Sequence, residues 1–148
     1  MYGNIPGTVV RIVDLDGTIS DDSWRLWLID PQLPDSTEKY HNYHIHCSED
    51  EVMNRHIVDQ SPVPVFIMTA RPAYLRQKTH TWLVTNRLRY KTMFMRPIED
   101  HTPSVQLKEN WVKQLYHNWM FGFENGYDDR ADVVEMFNAN GIKGVQVQ

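Results

Sequence analysis

The apolar residues of this chain fall into short β-branched or aromatic runs, separated by longer stretches where they recur at helical spacing. Thr8–Val13 (TVVRIV) ends in Asp-Leu-Asp-Gly and reads as a buried strand followed by a turn. Val65–Met68 (VFIM) and Thr92–Met95 (TMFM) have the same character. Phe121–Tyr127 is a weaker fourth strand, because Gly122 and Asn125-Gly126 interrupt it, and Lys143–Val147 is a short last one. Between the strands, Arg71–Asn86 carries Leu75, Trp82 and Leu83 at i, i+7 and i+8, which predicts a helix. Thr102-Pro103 offers an N-cap and a first-turn proline for a helix to about Trp119. Ala131–Asn138 is a further helix, stopped by Asn140-Gly141. Asp21 to Pro62 is irregular, broken by Pro31 and Pro34, with a helix near Glu38–Cys47. Strands alternating with helices predict an α/β domain with a mainly parallel sheet. Its sites should lie beyond the carboxyl ends of the strands.

Composition narrows the class. A length of 148 residues suits one domain, and 41% hydrophobic with 23% charged residues is ordinary for a globular chain. The apolar runs are far below the roughly 20 residues that cross a bilayer. The N-terminus lacks the charged start and apolar stretch of a secretory signal, which predicts a cytosolic protein. Cys47 is the only cysteine, so no internal disulfide forms. A net charge of -4 argues against a protein that coats nucleic acid nonspecifically, yet leaves room for a local basic pocket.

Four polar clusters fall at predicted strand ends. Asp14 and Asp16, two apart in Asp-Leu-Asp-Gly-Thr, point to one side of an extended segment and repel unless a cation such as Mg²⁺ sits between them. An Asx turn would use the same residues. Thr69-Ala70-Arg71-Pro72 joins a hydroxyl and a guanidinium where a strand gives way to a helix, a natural phosphate site. Lys108 lies among Val105, Leu107 and Val112 on a predicted helix, where most lysines only edge an amphipathic face. Asp128-Asp129-Arg130 opens a helix, where acids also suit the dipole. His41, His44, His46 and Cys47 suggest a zinc site. However, Cys47 aligns with Tyr40 and Tyr43 on a helix and reads as a packing face.

Taken in this order, the clusters resemble the haloacid dehalogenase superfamily of phosphohydrolases, over about Val9 to Val147. Its first motif, DxDGT, matches Asp14 to Thr18. The second-motif hydroxyl matches Thr69, the helix lysine Lys108, and the acidic pair Asp128 and Asp129. The resemblance implies a three-layer Rossmann-like fold with a mainly parallel sheet, as one domain over residues 1–148 with a minimal cap insert at about 21–62. It implies Asp14 as nucleophile forming an aspartyl-phosphate, and Asp16 as general acid and base. Mg²⁺ would be held by Asp14, the Asp16 backbone carbonyl, Asp128 and Asp129, with Lys108 and Thr69 on the phosphoryl oxygens.

A narrower resemblance is to the 3′-phosphatase domain of phage-type polynucleotide kinases. There an arginine follows the nucleophile by eleven positions, as Arg25 follows Asp14. A hydroxyl–x–Arg second motif matches Thr69-Ala70-Arg71, a Met-Arg pair matches Met95-Arg96, and DDR…VVEM…QV matches Asp128 through Val147. The resemblance implies Arg25, Arg71 and Arg96 as substrate-binding residues and a nucleic acid 3′ end or a nucleotide as the phosphate-ester substrate. Such a compact chain would suit a phage genome, acting in the host cytoplasm. Two departures stand out: the chain has no P-loop, so no kinase activity is encoded, and Ser104 stands where relatives carry an acid four residues before the motif lysine. Alternative readings are a small-molecule or nucleoside monophosphate phosphatase of the same superfamily, and a catalytically silent binding or regulatory domain.

Overall fold

The computed structural model describes residues 8–148; residues 1–7 of the expected single domain lie outside the described residues. Five parallel strands form the central sheet: Val9–Val13 (β1), Val65–Pro72 (β4), Thr92–Arg96 (β5), Gly122–Asp128 (β6) and Gly144–Gln146 (β7), in the order β5-β4-β1-β6-β7. Side chains alternate across these strands, so β1, β4, β5 and β6 each serve two cores. Val65 and Ile67 of β4, with Met93 and Met95 of β5, pack against Trp82 and Leu83 of the helix Arg76–Thr85 (α3). Val10 and Ile12 of β1, with Phe66 and Met68 of β4, face Val112 and Leu115 of Ser104–Trp119 (α4) and Val133, Met136 and Phe137 of Ala131–Ala139 (α5). A sheet covered by helices on both faces gives the three-layer α/β fold anticipated from the sequence. No helix among the described residues is long and apolar enough to cross a membrane.

Several boundaries differ from expectation. The helix after β4 begins at Arg76 rather than Arg71, preceded by a 3₁₀ turn at Ala73–Leu75. Pro72 explains this: its ring disfavours the helical region for Arg71, so the chain stays extended and β4 runs on to Pro72. The same effect displaces the start of α4. Thr102 does not cap it; Pro103 occupies the N-cap in an extended conformation, and the Thr102 N–H donates instead to Asp100 Oδ1 at 2.9 Å.

The segment between β1 and β4 is less irregular than its sequence suggests. A two-stranded antiparallel ribbon, Ser20–Asp21 (β2) with Glu51–Val52 (β3), closes an excursion holding a 3₁₀ stretch at Ser23–Leu28 and the helix Thr37–Ile45 (α1). Ser36 Oγ caps α1 by accepting from the Lys39 N–H at 3.2 Å. A short helix, His56–Asp59 (α2), leads back toward the sheet. Strands of two residues carry no readable period, which is why the ribbon escaped the sequence.

Candidate active site

β1 lies between β4 and β6, where the strand order reverses, and Asp14 is the first residue past its end. Open α/β sheets form their ligand crevice at such a point. The Asp14 N–H donates to Tyr127 O of β6 at 3.0 Å, which fixes the carboxylate against the neighbouring strand. The chain then turns tightly, with Leu15 O accepting from the N–H groups of Thr18, Ile19 and Ser20. Gly17 makes this turn at φ +80°, and a Cβ there would lie 2.2 Å from Asp129 Oδ2. The glycine thus gives the turn its shape and leaves room for an acidic side chain from β6's end.

Lys108, on the first turns of α4, is buried rather than edging the helix. Its Nζ donates to Asp14 Oδ1 at 2.9 Å and to Asp128 Oδ2 at 2.6 Å. Thr18 Oγ1 donates to Asp14 Oδ2 at 3.2 Å, and the Arg130 N–H donates to Asp128 Oδ1 at 3.0 Å. Oxygens of Asp14, Asp128 and Asp129 lie within 4.8 Å of one another. Three carboxylates therefore face one ammonium. Burial and the neighbouring Asp128 push the Asp14 carboxyl well above the usual range despite Lys108. Burial and Asp128 also raise Asp129. Burial opposes the charge of Lys108, but Asp14 and Asp128 outweigh it and hold the ammonium above its ordinary value. Surplus negative charge on hard oxygens is the donor set that suits Mg²⁺.

Asp16 points elsewhere. Its Oδ1 accepts from Arg25 Nη2 at 2.6 Å and Arg71 Nη2 at 2.8 Å, and Arg71 Nε reaches both oxygens at 3.2 Å. Burial alone would raise the Asp16 pKa, but the two guanidinium groups outweigh it and hold the group ionised. The cations beside this carboxylate are thus arginines, where the sequence suggested a metal between Asp14 and Asp16. Arg25 and Arg71 are both 0% exposed and sit behind Asp16, outside the cleft lining. Arg25 Nη1 also donates to Tyr43 O at 2.9 Å, and Arg71 Nη1 to Thr79 Oγ1 at 3.1 Å.

The cleft above these residues encloses about 570 Å³. Asp14, Asp16, Thr69 and Lys108 form its floor, and Arg96, Tyr40 and Tyr74 are among its walls. Thr69 Oγ1 accepts from the Arg71 N–H at 3.1 Å within extended backbone, not at a helix start. Arg96 lines the cleft and braces the loop before α4. It donates to Ala70 O, Asp100 O and Thr102 O, and to Ser104 Oγ at 3.2 Å, so Ser104 receives the arginine that faces this position. The histidines of α1 find separate partners: His41 beside Tyr74, His46 on Glu49 at 2.8 Å, and His44 against Tyr43. Cys47 lies in the core. His44 lines the cleft. Burial first, and the nearby arginines, lower its pKa to about 4 although Asp16 opposes them.

Two residues of this site were not singled out from the sequence. Asp50 takes four hydrogen bonds on its buried carboxylate, and Ser20 links it to Arg71. In the sequence Asp50 stands in Ser-Glu-Asp-Glu, which has the look of a solvated acidic turn.

Known proteins share this fold. No curated protein matches the chain significantly. Among solved structures, a component of the Pnkp1/Rnl/Hen1 RNA repair complex superposes with a TM-score of 0.65 at 22% identity, over 97% of this chain and 42% of that one. A Clostridium difficile protein assigned as a phosphatase gives 0.64 at 14% identity, over 95% of this chain and 85% of that one. A haloacid dehalogenase-like hydrolase from Streptococcus pneumoniae gives 0.61 at 13%, over 99% and 86%. This chain thus spans less than half of the RNA repair protein it matches. The family model for the phosphatase domain of polynucleotide kinase PNKP matches residues 8–148, and by that match the chain belongs to this family of haloacid dehalogenase-type phosphatases.

Proposed function

We propose that this domain is a Mg²⁺-dependent phosphomonoesterase that forms an aspartyl-phosphate on Asp14 and removes phosphate from nucleic acid 3′ ends. The observation that carries the reading is Lys108 Nζ bridging Asp14 Oδ1 at 2.9 Å and Asp128 Oδ2 at 2.6 Å, beside Asp129, at the strand-order switch. Bound Mg²⁺, held by Asp14, Asp128, Asp129 and the Asp16 backbone carbonyl, would supply charge stabilisation for the phosphoryl group.

In the first half-reaction an Asp14 carboxylate oxygen bonds to phosphorus while the ester P–O bond breaks. Asp16 delivers the proton that the leaving 3′ oxygen needs. Because Arg25 and Arg71 keep Asp16 ionised at rest, that proton arrives with the substrate, since a monoester monoanion carries one. In the second half-reaction Asp16 takes a proton from water, the water oxygen bonds to phosphorus, and the Asp14–phosphorus bond breaks. Inorganic phosphate leaves, Asp14 is restored, and Asp16 gives its proton to the departing phosphate or to solvent, returning to its ionised form. Lys108 and the Thr69 hydroxyl hold the transferring oxygens. Arg96 contacts the substrate directly from the cleft wall, whereas Arg25 and Arg71 act on it from behind Asp16. Residues 21–62 serve as a small cap, contributing Leu26, Ile29 and Tyr40 to one wall.

The choice of a nucleic acid end draws support from the family and from the repair complex that holds a solved relative. Tyr40, Tyr74 and Ile98 beside the phosphate site offer faces for a base and sugar. A second reading, a mononucleotide as substrate, is favoured by the acids at the rim: Asp22, Asp35, Glu99 and Asp100. Rates with Mg²⁺ on a 3′-phosphorylated oligonucleotide and on nucleoside monophosphates decide between them. The oligonucleotide should give the higher kcat/KM; faster release from the mononucleotides would overturn the polynucleotide assignment.

A further inference from the structure

Asp50 lies in the insert, between a 3₁₀ turn at Cys47–Glu49 and β3, with its side chain 0% exposed. It does not line the cleft, so it cannot touch substrate. Its carboxylate nevertheless accepts four hydrogen bonds behind the site. Oδ1 accepts from Arg25 Nε at 2.8 Å and Trp24 Nε1 at 2.9 Å; Oδ2 accepts from Arg25 Nη2 at 2.7 Å and Ser20 Oγ at 2.6 Å. Its backbone carbonyl accepts from Trp82 Nε1 of α3 at 2.9 Å, which ties it to the body of the domain.

We infer that Asp50 is a positioning residue for the acid–base group Asp16, acting through Arg25. The inference rests on the phosphatase reading above. Arg25 Nη2 is shared between Asp50 Oδ2 and Asp16 Oδ1, so the fork that Asp50 grips along one edge is the same one that holds Asp16. The guanidinium also lies over the Tyr43 ring at 4.3 Å, which fixes its plane. Through Ser20, which donates to Asp50 and accepts from Arg71 Nη2 at 3.2 Å, the same carboxylate braces the second arginine. Asp16 and Asp50 balance Arg25 and Arg71, two charges against two. Such a bidentate, charge-assisted pair sets direction as well as distance. Neutralising Asp50 removes the charge that grips the Nε edge of Arg25 and lets the guanidinium pivot on its Tyr43 and Asp16 contacts. The proton transfer at Asp16 then loses its alignment, while Asp14, Lys108 and the acidic pair keep theirs.

A buried ion pair can also be purely structural, and the leaving group separates the two roles. A nitrophenolate departs without a proton, whereas a sugar alkoxide needs the one that Asp16 delivers. The ratio of kcat/KM for p-nitrophenyl phosphate to that for a 3′-phosphorylated oligonucleotide therefore reports on Asp16, and it is independent of the fraction of protein folded. Asp50→Asn should raise this ratio by ~10–100-fold, a share of the ~10²–10⁴-fold that general acid–base catalysis contributes. Asp16→Asn should raise it at least as much. Trp24→Phe, which removes one hydrogen bond from Asp50 at a partly exposed ring, should raise it ~3-fold, and decides the matter if Asp50→Asn fails to fold. If Asp16→Asn raises the ratio but the Asp50 or Trp24 variant does not, the positioning role is overturned and the phosphatase reading stands. If Asp16→Asn itself leaves the ratio unchanged, the acid–base assignment falls and takes this inference with it.

Discussion

Gly17 sits where the chain leaves β1, and its missing Cβ is what admits the Asp129 carboxylate. Gly17→Ala would place a methyl 2.2 Å from Asp129 Oδ2 at a φ of +80°, so the acid must move and the turn is strained. The left-handed conformation costs on the order of 1 kcal/mol for alanine. If Asp129 holds Mg²⁺ as proposed, its displacement should weaken metal binding by ~10–100-fold, as disturbed ligand positioning does elsewhere. A Mg²⁺ titration of activity alongside a thermal melt checks this: the Mg²⁺ midpoint should rise steeply while Tm falls only modestly. An unchanged midpoint would remove Asp129 from the metal site. At this scale no single residue was decisive: an Asp-x-Asp-Gly turn also closes ordinary strands, and a Lys flanked by Val105, Leu107 and Val112 usually edges a helix, so it was their order along the chain that marked them. Asp50 was hidden because a short acidic run looks the same whether solvated or buried. Arg25 and Arg71 were visible as residues, but their direction was not, since nothing local says that both turn inward onto Asp16.

Among the elements, β6 shows how packing overrides local preference. Gly122 and Asn125-Gly126 argue against a strand, yet Gly122–Asp128 pairs with both β1 and β7. A Cβ at Gly126 would lie 2.6 Å from Phe137 Cδ2, so glycine there lets α5 press onto the sheet. The register between β1 and β6 shifts between Val10 and Ile12, opposite the segment that carries Glu124. At that irregularity Arg11 Nε and Nη2 donate to Glu124 Oε1 and Oε2 at 2.9 and 2.8 Å, and Arg11 Nη1 donates to Ile57 O. The hydrogen bonds from Arg11 hold the Glu124 carboxyl below the ordinary glutamate range. A carboxyl lowered on folding stabilises the fold above its unfolded pKa of about 4.3, and that contribution fades as pH falls through the folded value. Urea unfolding should therefore show Glu124→Gln less stable than the parent at pH 7, with the gap closing once pH drops below about 4. A gap that stays constant down to pH 3 would mean that the ion pair contributes nothing through its charge. The β4–α3 junction was misread for a related reason: Leu75, Trp82 and Leu83 give a true helical period, but Pro72 keeps Arg71 extended and delays the helix.

Across the whole molecule, charge is divided between two neighbouring compartments. Behind the cleft, Arg25 and Arg71 balance Asp16 and Asp50, so that group is complete as it stands. Around Lys108, the carboxylates of Asp14, Asp128 and Asp129 outnumber the one ammonium, and the proposed Mg²⁺ would offset that surplus. The parallel sheet makes this division possible, because β1, β4 and β6 end together and bring residues from positions 14 to 129 into one crevice. That convergence was legible in the order of motifs along the chain. The walls were not, because Tyr40 of the excursion between β1 and β4, Tyr74 of the turn after β4 and Arg96 at the end of β5 come from elements far apart in the sequence. The chemistry of the floor reduces to whether phosphorus becomes bonded to Asp14 during turnover. Acid quenching of the enzyme with Mg²⁺ and a ³²P-labelled monoester, followed by peptide mapping, measures this. Label on the peptide carrying Asp14, absent from Asp14→Asn, is the expected result; steady release of phosphate with no labelled protein, or label on another residue, would contradict it.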